Sequence, residues 1–217
     1  MFLGHYGVAF GAKAAAPKTS LGTLLLAAVF VDLLWPVLLL TGVERAVIEP
    51  GATRVTPIDF VYYPFSHSLL AVAAWAALFG MVYFMARRDY RAAVVLGLLV
   101  FSHWLLDAIV HRPDLPLYPG GGQFIGLGLW SSLPSTLIAE LLIFGAGVCI
   151  YSRHTAPSDG FGRWALWGYV TLLTVVYLAS VFGPPPPSVT AIAIAGQGQW
   201  LFVVLAVWVD RHRQHTT

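Results

Sequence analysis

Charge is what this sequence has least of. Asp, Glu, Lys and Arg make up 10% of its 217 residues, against about 25% in an ordinary soluble domain. A soluble fold of this length cannot hide a composition that is 58% apolar, but a bilayer can. The formal net charge is only +2 and no Lys/Arg-rich cluster stands out, which argues against nucleic acid as a partner. The single cysteine, Cys149, lies in an apolar run. That excludes a disulfide framework and leaves the residue as a small buried or lipid-facing side chain. A clean signal peptide is also missing: Lys13 and Lys18 follow the first apolar stretch instead of preceding it, so the N-terminus reads as retained. Ionisable residues vanish altogether between Trp164 and Val209. There is no tandem repeat and no second soluble domain.

What is present is long apolar sequence. Six stretches can cross about 30 Å of hydrocarbon: residues 19–42, 64–86, 91–111, 133–151, 162–182 and 189–209. A seventh, residues 4–16, is too short to cross. It is rich in Gly and Ala, which suits close packing against a neighbour, and Pro17 separates it from the first span. The expected fold is all-α: one polytopic integral membrane helical bundle over residues 1–217, with six transmembrane helices and a short N-terminal re-entrant helix. Nine of the twelve Lys and Arg fall on one side, which the positive-inside bias makes cytoplasmic for both basic flanks. The expected location is a bacterial inner membrane. The opposite side carries two long Pro/Gly-containing loops, residues 43–63 and 112–132, of the kind that form lids or entrance walls. The run Pro184–Pro187 on that side reads as a stiff connector.

Ionisable groups inside spans are expensive and mark function. Seven stand out: His5, Asp32, His67, His103, Asp107, His111 and Glu140. All lie within residues 1–152, which makes residues 162–210 scaffold. Depth follows from about 1.5 Å of rise per residue, counted from the basic floor. Asp32 comes out about 21 Å above Lys18, His5 about 20 Å back along a re-entrant arm, His103 about 18 Å and Asp107 about 24 Å above Arg91, and Glu140 about 20 Å from Arg153. Five groups on four segments therefore share one layer, with His67 and His111 near 30 Å just above it.

The sharpest motif is HWLLDAIVH, His103 to His111. Its polar residues recur at i, i+4 and i+8, on one helical face with a drift of about 40° per step. Two donors at i and i+4 are the usual way a helix grips a metal. The nitrogen and oxygen donors of His and Asp suit zinc first, with manganese or iron as alternatives. Pro36, four residues after Asp32, cannot donate to the Asp32 carbonyl and predicts a kink there. His67 follows Pro64 and reads as part of the first turn of its span, where the helix dipole favours the neutral, metal-binding ring. Asp59, Arg112 and Asp114 read as loop charges. His154, His212 and His215 read as solvated at the basic face.

Taken together, GHYGVAFG, VFVDLLWP, FSHSLL and HWLLD followed by a Pro/Gly loop resemble the YdjM-like family of membrane-bound metal-dependent hydrolases, over roughly residues 1–122. The resemblance implies His5, Asp32, His67, His103 and Asp107 as ligands, in a pattern similar to that of zinc-dependent phospholipase C enzymes. Two departures stand out. The first span has one Asp where many members have an acidic pair, which puts a multinuclear site in doubt. His111 stands where a small polar residue is more usual, so it enters the candidate ligand set as a replacement. The expected chemistry is hydrolysis of a lipid or lipid-like ester or phosphoester by a metal-activated water, with Glu140 or a spare Asp as base and Asp107 at the reacting centre. Glu140 is alternatively a further ligand or a partner that orients a ligand histidine. The main competing reading is a proton or divalent-cation transporter or channel using the same His/Asp ring. A haem or quinone binder is a weaker third.

Overall fold

A computed structural model describes residues 1–216, and it is mostly helical. Five helices are long and apolar enough to cross a membrane: α5 (Leu69–Arg87), α6 (Tyr90–Val110), α7 (Leu133–His154), α8 (Gly160–Phe182) and the near-continuous pair α9 (Val189–Gln197) and α10 (Gln199–Arg211). The pair α2 (Leu21–Ala28) and α3 (Phe30–Leu40), bent by 53° at their junction, passes the same test only when taken together, as a broken span or a re-entrant loop. Leu70, Leu98, Leu142, Ile194 and Val204 point outward, an apolar girdle of the kind that acyl chains cover. These features fit an integral membrane protein.

The remaining helices are short. α1 (Leu3–Ala12) has ten residues, about 15 Å of rise, half of what a crossing needs. It is buried along nearly its whole length. It packs against α7 with unusual closeness: a Cβ on Gly7 would collide with the backbone at Ile143 and Phe144, and one on Gly147 with the Gly7 carbonyl. The expectation of a short arm held by small residues is met in that contact. At the basic end, Lys13 donates to Asp210 Oδ2 at 2.7 Å and to the Thr19 carbonyl at 2.9 Å, while Tyr151 donates to Asp210 Oδ1 at 2.8 Å. This buried charge pair ties the turn after α1 to the end of α10.

Two spans differ from expectation. The first is not broken at Pro36. It breaks at Val29 (φ −103°, ψ 11°), seven residues earlier, while Pro36 stays inside α3 with its ring packed where a side chain on Gly196 of α9 would lie. The second starts as a separate turn, α4 (Pro64–His67), because Ser68 leaves the helical region (ψ 147°) and caps α5 through its hydroxyl, which accepts from Ala71 N–H. His67 therefore closes a short helix instead of opening a long one, and the dipole argument for its neutral ring does not apply.

The two long loops each contain a small antiparallel hairpin. β1 (Arg45–Ile48) pairs with β2 (Ile58–Tyr62), and β3 (Leu115–Pro116) with β4 (Phe124–Ile125). A third pair joins β5 (Thr155–Pro157) to β6 (Arg213–His215) at the basic end.

Candidate metal centre

Four helices deliver one residue or two each to a common point. His103 and Asp107 lie one turn apart on α6, with Nε2 and Oδ2 3.1 Å apart. His5 from α1 brings its Nε2 to 3.2 Å from Asp107 Oδ1. Asp32 from α3 sets Oδ1 3.5 Å from His103 Nε2 and 3.8 Å from His67 Nε2. His67, on α4, is also 3.8 Å from Asp107 Oδ2. The donors form two groups able to hold an ion, His5/His103/Asp107 and Asp32/His67/His103, and His103 belongs to both. The rings of His5 and His103 stack at 3.8 Å with 3° between their planes. All are buried except Asp32, whose side chain is 24% exposed. The amino group of Met1 also lies in the cluster, 2.5 Å from Asp107 Oδ1.

Local folding fixes how two of the rings present their nitrogens. The last carbonyls of a helix have no partner within it, and the break at Val29 puts Ala28 in that position. His103 Nδ1 lies 2.9 Å from that carbonyl. A carbonyl only accepts, so Nδ1 is the protonated nitrogen and Nε2 carries the lone pair facing the cluster. His67 is set by a longer relay. Glu44 is buried; its Oε1 accepts the N–H groups of Phe65 and Ser66 at 2.8 Å each, and its Oε2 accepts the Ser66 hydroxyl at 2.6 Å. With its proton committed to Glu44, the Ser66 oxygen accepts from His67 Nδ1 at 2.7 Å. That leaves His67 Nε2 as a lone pair too.

The donor set fits a divalent cation on three counts. His103 Nε2 is buried without a hydrogen-bond partner among the described residues, a costly state for any polar atom. His103 Nε2 stays unsatisfied although Asp107 is 3.1 Å away. Donors roughly 2.0–2.1 Å from a tetrahedral ion stand about 3.4 Å apart, and the four His–Asp separations that link Asp32 and Asp107 to His67 and His103 run from 3.1 to 3.8 Å. Finally, two carboxylates share one buried cluster, and the Met1 ammonium on Asp107 offsets only one of the two negative charges.

The structure brings together His5, Asp32, His67, His103 and Asp107 and leaves two expected site residues out. Glu140 is in neither donor group and makes no hydrogen bond to a ligand histidine among the described residues. Its Oε1 accepts from Phe2 N–H at 2.8 Å and its Oε2 from Gly4 N–H at 2.7 Å, so it anchors the start of α1 from α7. His111 is not in either donor group. The chain leaves the helix at that residue (ψ 144°), which ends the i, i+4, i+8 progression, and His111 Nδ1 donates to Asp114 Oδ1 at 2.9 Å.

Asp114 proves to be a hub. Besides His111 it accepts from the Tyr63 hydroxyl at 3.0 Å and from Arg112 Nε at 3.1 Å, and Arg112 also bridges to Asp59. Burial and the adjacent Asp114 carboxylate push the Tyr63 hydroxyl well above the usual phenol range, so it remains a donor. The two long loops are thereby tied to one another beside the cluster. Glu44 and Ser66 were missed as site residues. The only trace of them in the sequence is an acid in a loop and a Ser adjoining a His.

The chain matches no protein-family model, no curated protein and no solved structure. What can be said of its chemistry rests on the cluster.

Proposed function

We propose that the protein is an intramembrane metal-dependent hydrolase acting on a lipid or lipid-like ester or phosphoester, and that it is a distant member of the YdjM-like family. The observation that carries this reading is the convergence of His5, Asp32, His67, His103 and Asp107, with the two ring orientations set by Ala28 and by Ser66–Glu44. A divalent ion held by these donors, zinc being the best match, would supply Lewis acidity and make an associated water more acidic.

The chain's own residues do the rest. Asp107 and the three histidines hold the charge and exclude water by burial. Asp32 has one oxygen toward His67 and His103 and is the one donor partly open to the outside, so its Oδ2 is the group that takes a proton from the attacking water. In this reading Asp32 replaces Glu140 as base. The loop tie at Asp114 frames the side from which substrate arrives, and the basic end faces the cytoplasm. A transport path is disfavoured by the apolar layer between the cluster and the basic end, where Leu24, Leu25, Leu96 and Leu99 are buried.

The test is turnover of lipid esters and phosphoesters by the purified protein in liposomes. Metal-dependent hydrolysis that disappears in Asp32→Asn, with metal still bound, supports the reading. Cation flux across the same liposomes without hydrolysis overturns it.

A further inference from the structure

A cavity of about 760 Å³ opens on the flank of the bundle between α2–α3 and α5, away from the metal centre. Its two ends differ in chemistry. At the basic end it is lined by Lys18, Arg87, Ser20, Thr23 and Tyr83, with Thr19 Oγ1 3.5 Å from the Tyr83 hydroxyl. Toward the middle of the bundle its lining is apolar and it stops at Phe30, Trp75 and Phe79, whose rings meet at centroid distances of 5.6–5.7 Å. None of the metal-centre donors is among its lining residues. From Trp75 to Arg87, α5 rises about 18 Å, close to the roughly 15 Å of hydrocarbon in one leaflet. Lys18 and Arg87 are exposed and form no ion pair with a described residue.

An apolar slot one leaflet deep, ending in two free cations and four hydroxyls, matches one kind of occupant. We propose that this groove holds one anionic phospholipid of the leaflet at the basic end, with its phosphate between Lys18 and Arg87 and an acyl chain against α5. The charge complementarity selects the occupant: a zwitterionic lipid offers the same chain but no net charge to the two cations. The site is independent of the metal centre and of any hydrolytic activity.

Native mass spectrometry of the detergent-purified protein with added phosphatidylglycerol or phosphatidylcholine tests this. One phosphatidylglycerol should be retained in preference to phosphatidylcholine. Lys18→Ala and Arg87→Ala should each weaken retention about five-fold, whereas Arg153→Ala and Arg163→Ala, basic residues elsewhere at that end, should not. Leu78→Trp, which fills the slot and leaves both cations in place, should also expel the lipid. Equal retention of the two lipids, unchanged retention in the Lys18 and Arg87 variants, an equal loss in the Arg153 and Arg163 controls, or a second copy of the chain bound in place of lipid would each overturn the proposal. An unaltered elution profile and metal content in every variant establishes that the fold is intact.

Discussion

Replacing Glu44 with Gln changes one atom and should reverse the proton arrangement of His67. In the native relay, Glu44 Oε2 only accepts, so the Ser66 hydroxyl points at it and His67 Nδ1 donates to the Ser66 oxygen. In Glu44→Gln, the amide can keep its oxygen on the Phe65 and Ser66 N–H groups, but the atom facing Ser66 becomes a donor. The Ser66 hydroxyl then accepts from the amide and turns its proton toward Nδ1. The His67 proton moves to Nε2, and the lone pair facing Asp32 and Asp107 is lost. Changes to partners of ligand histidines weaken metal binding about 10- to 100-fold, or about 1.4–2.7 kcal/mol. The fold should survive, because the buried N–H groups keep their acceptor. Chelator-competition titration of the purified variant measures the affinity, and thermal denaturation in detergent checks the fold. In a His67→Ala background, Glu44→Gln should cost almost nothing further, since the two act through the same ligand. Full native affinity in Glu44→Gln, or an equal loss whether His67 is present or not, would refute the relay.

Other consequences are simpler to read. His111→Ala should retain metal, and its cost should appear in thermal stability through the broken contact with Asp114; loss of metal by elemental analysis would return His111 to the ligand set. Gly147→Val should push α1 off α7 and destabilise the protein by about 1–3 kcal/mol, with weaker metal binding because His5 rides on α1. Lys13→Ala leaves Asp210 buried without its cation and should cost about 3–5 kcal/mol in unfolding experiments, more than the paired change Lys13→Met with Asp210→Leu. Stripping the metal should lower stability by about 2.7 kcal/mol relative to protein held with free ion at 100 times its dissociation constant, visible as a lower melting temperature.

The long apolar helices were legible because their signal is compositional: apolar length between basic ends survives any detail of packing. Four of the five clustered donors could be placed in one layer by counting rise along their helices, since His5, Asp32, His103 and Asp107 are each fixed by distance from a basic residue. Glu140 had the right depth but the wrong job. Depth does not say which way a side chain points, and the free N–H groups at the start of α1 claimed its carboxylate. The break at Val29 had no sequence marker comparable to Pro36. Its consequence is a contact between Ala28 and His103, residues 75 positions apart. The Glu44–Ser66–His67 relay was invisible for a similar reason: Glu44 sits in a loop whose path is set by its hairpin, and a loop acid carries no periodicity to betray burial. His111 continued a regular spacing on paper, but the helix had ended before it.

The most direct measurement is the metal content of the purified wild-type protein beside Asp107→Ala and His103→Ala, each checked for an intact fold. The arrangement described here predicts stoichiometric divalent metal in the wild type and near-complete loss in both variants, because Asp107 reaches three of the histidines and His103 belongs to both donor groups. Metal retained at wild-type level in either variant, or no metal in the wild type after supplementation, would contradict it.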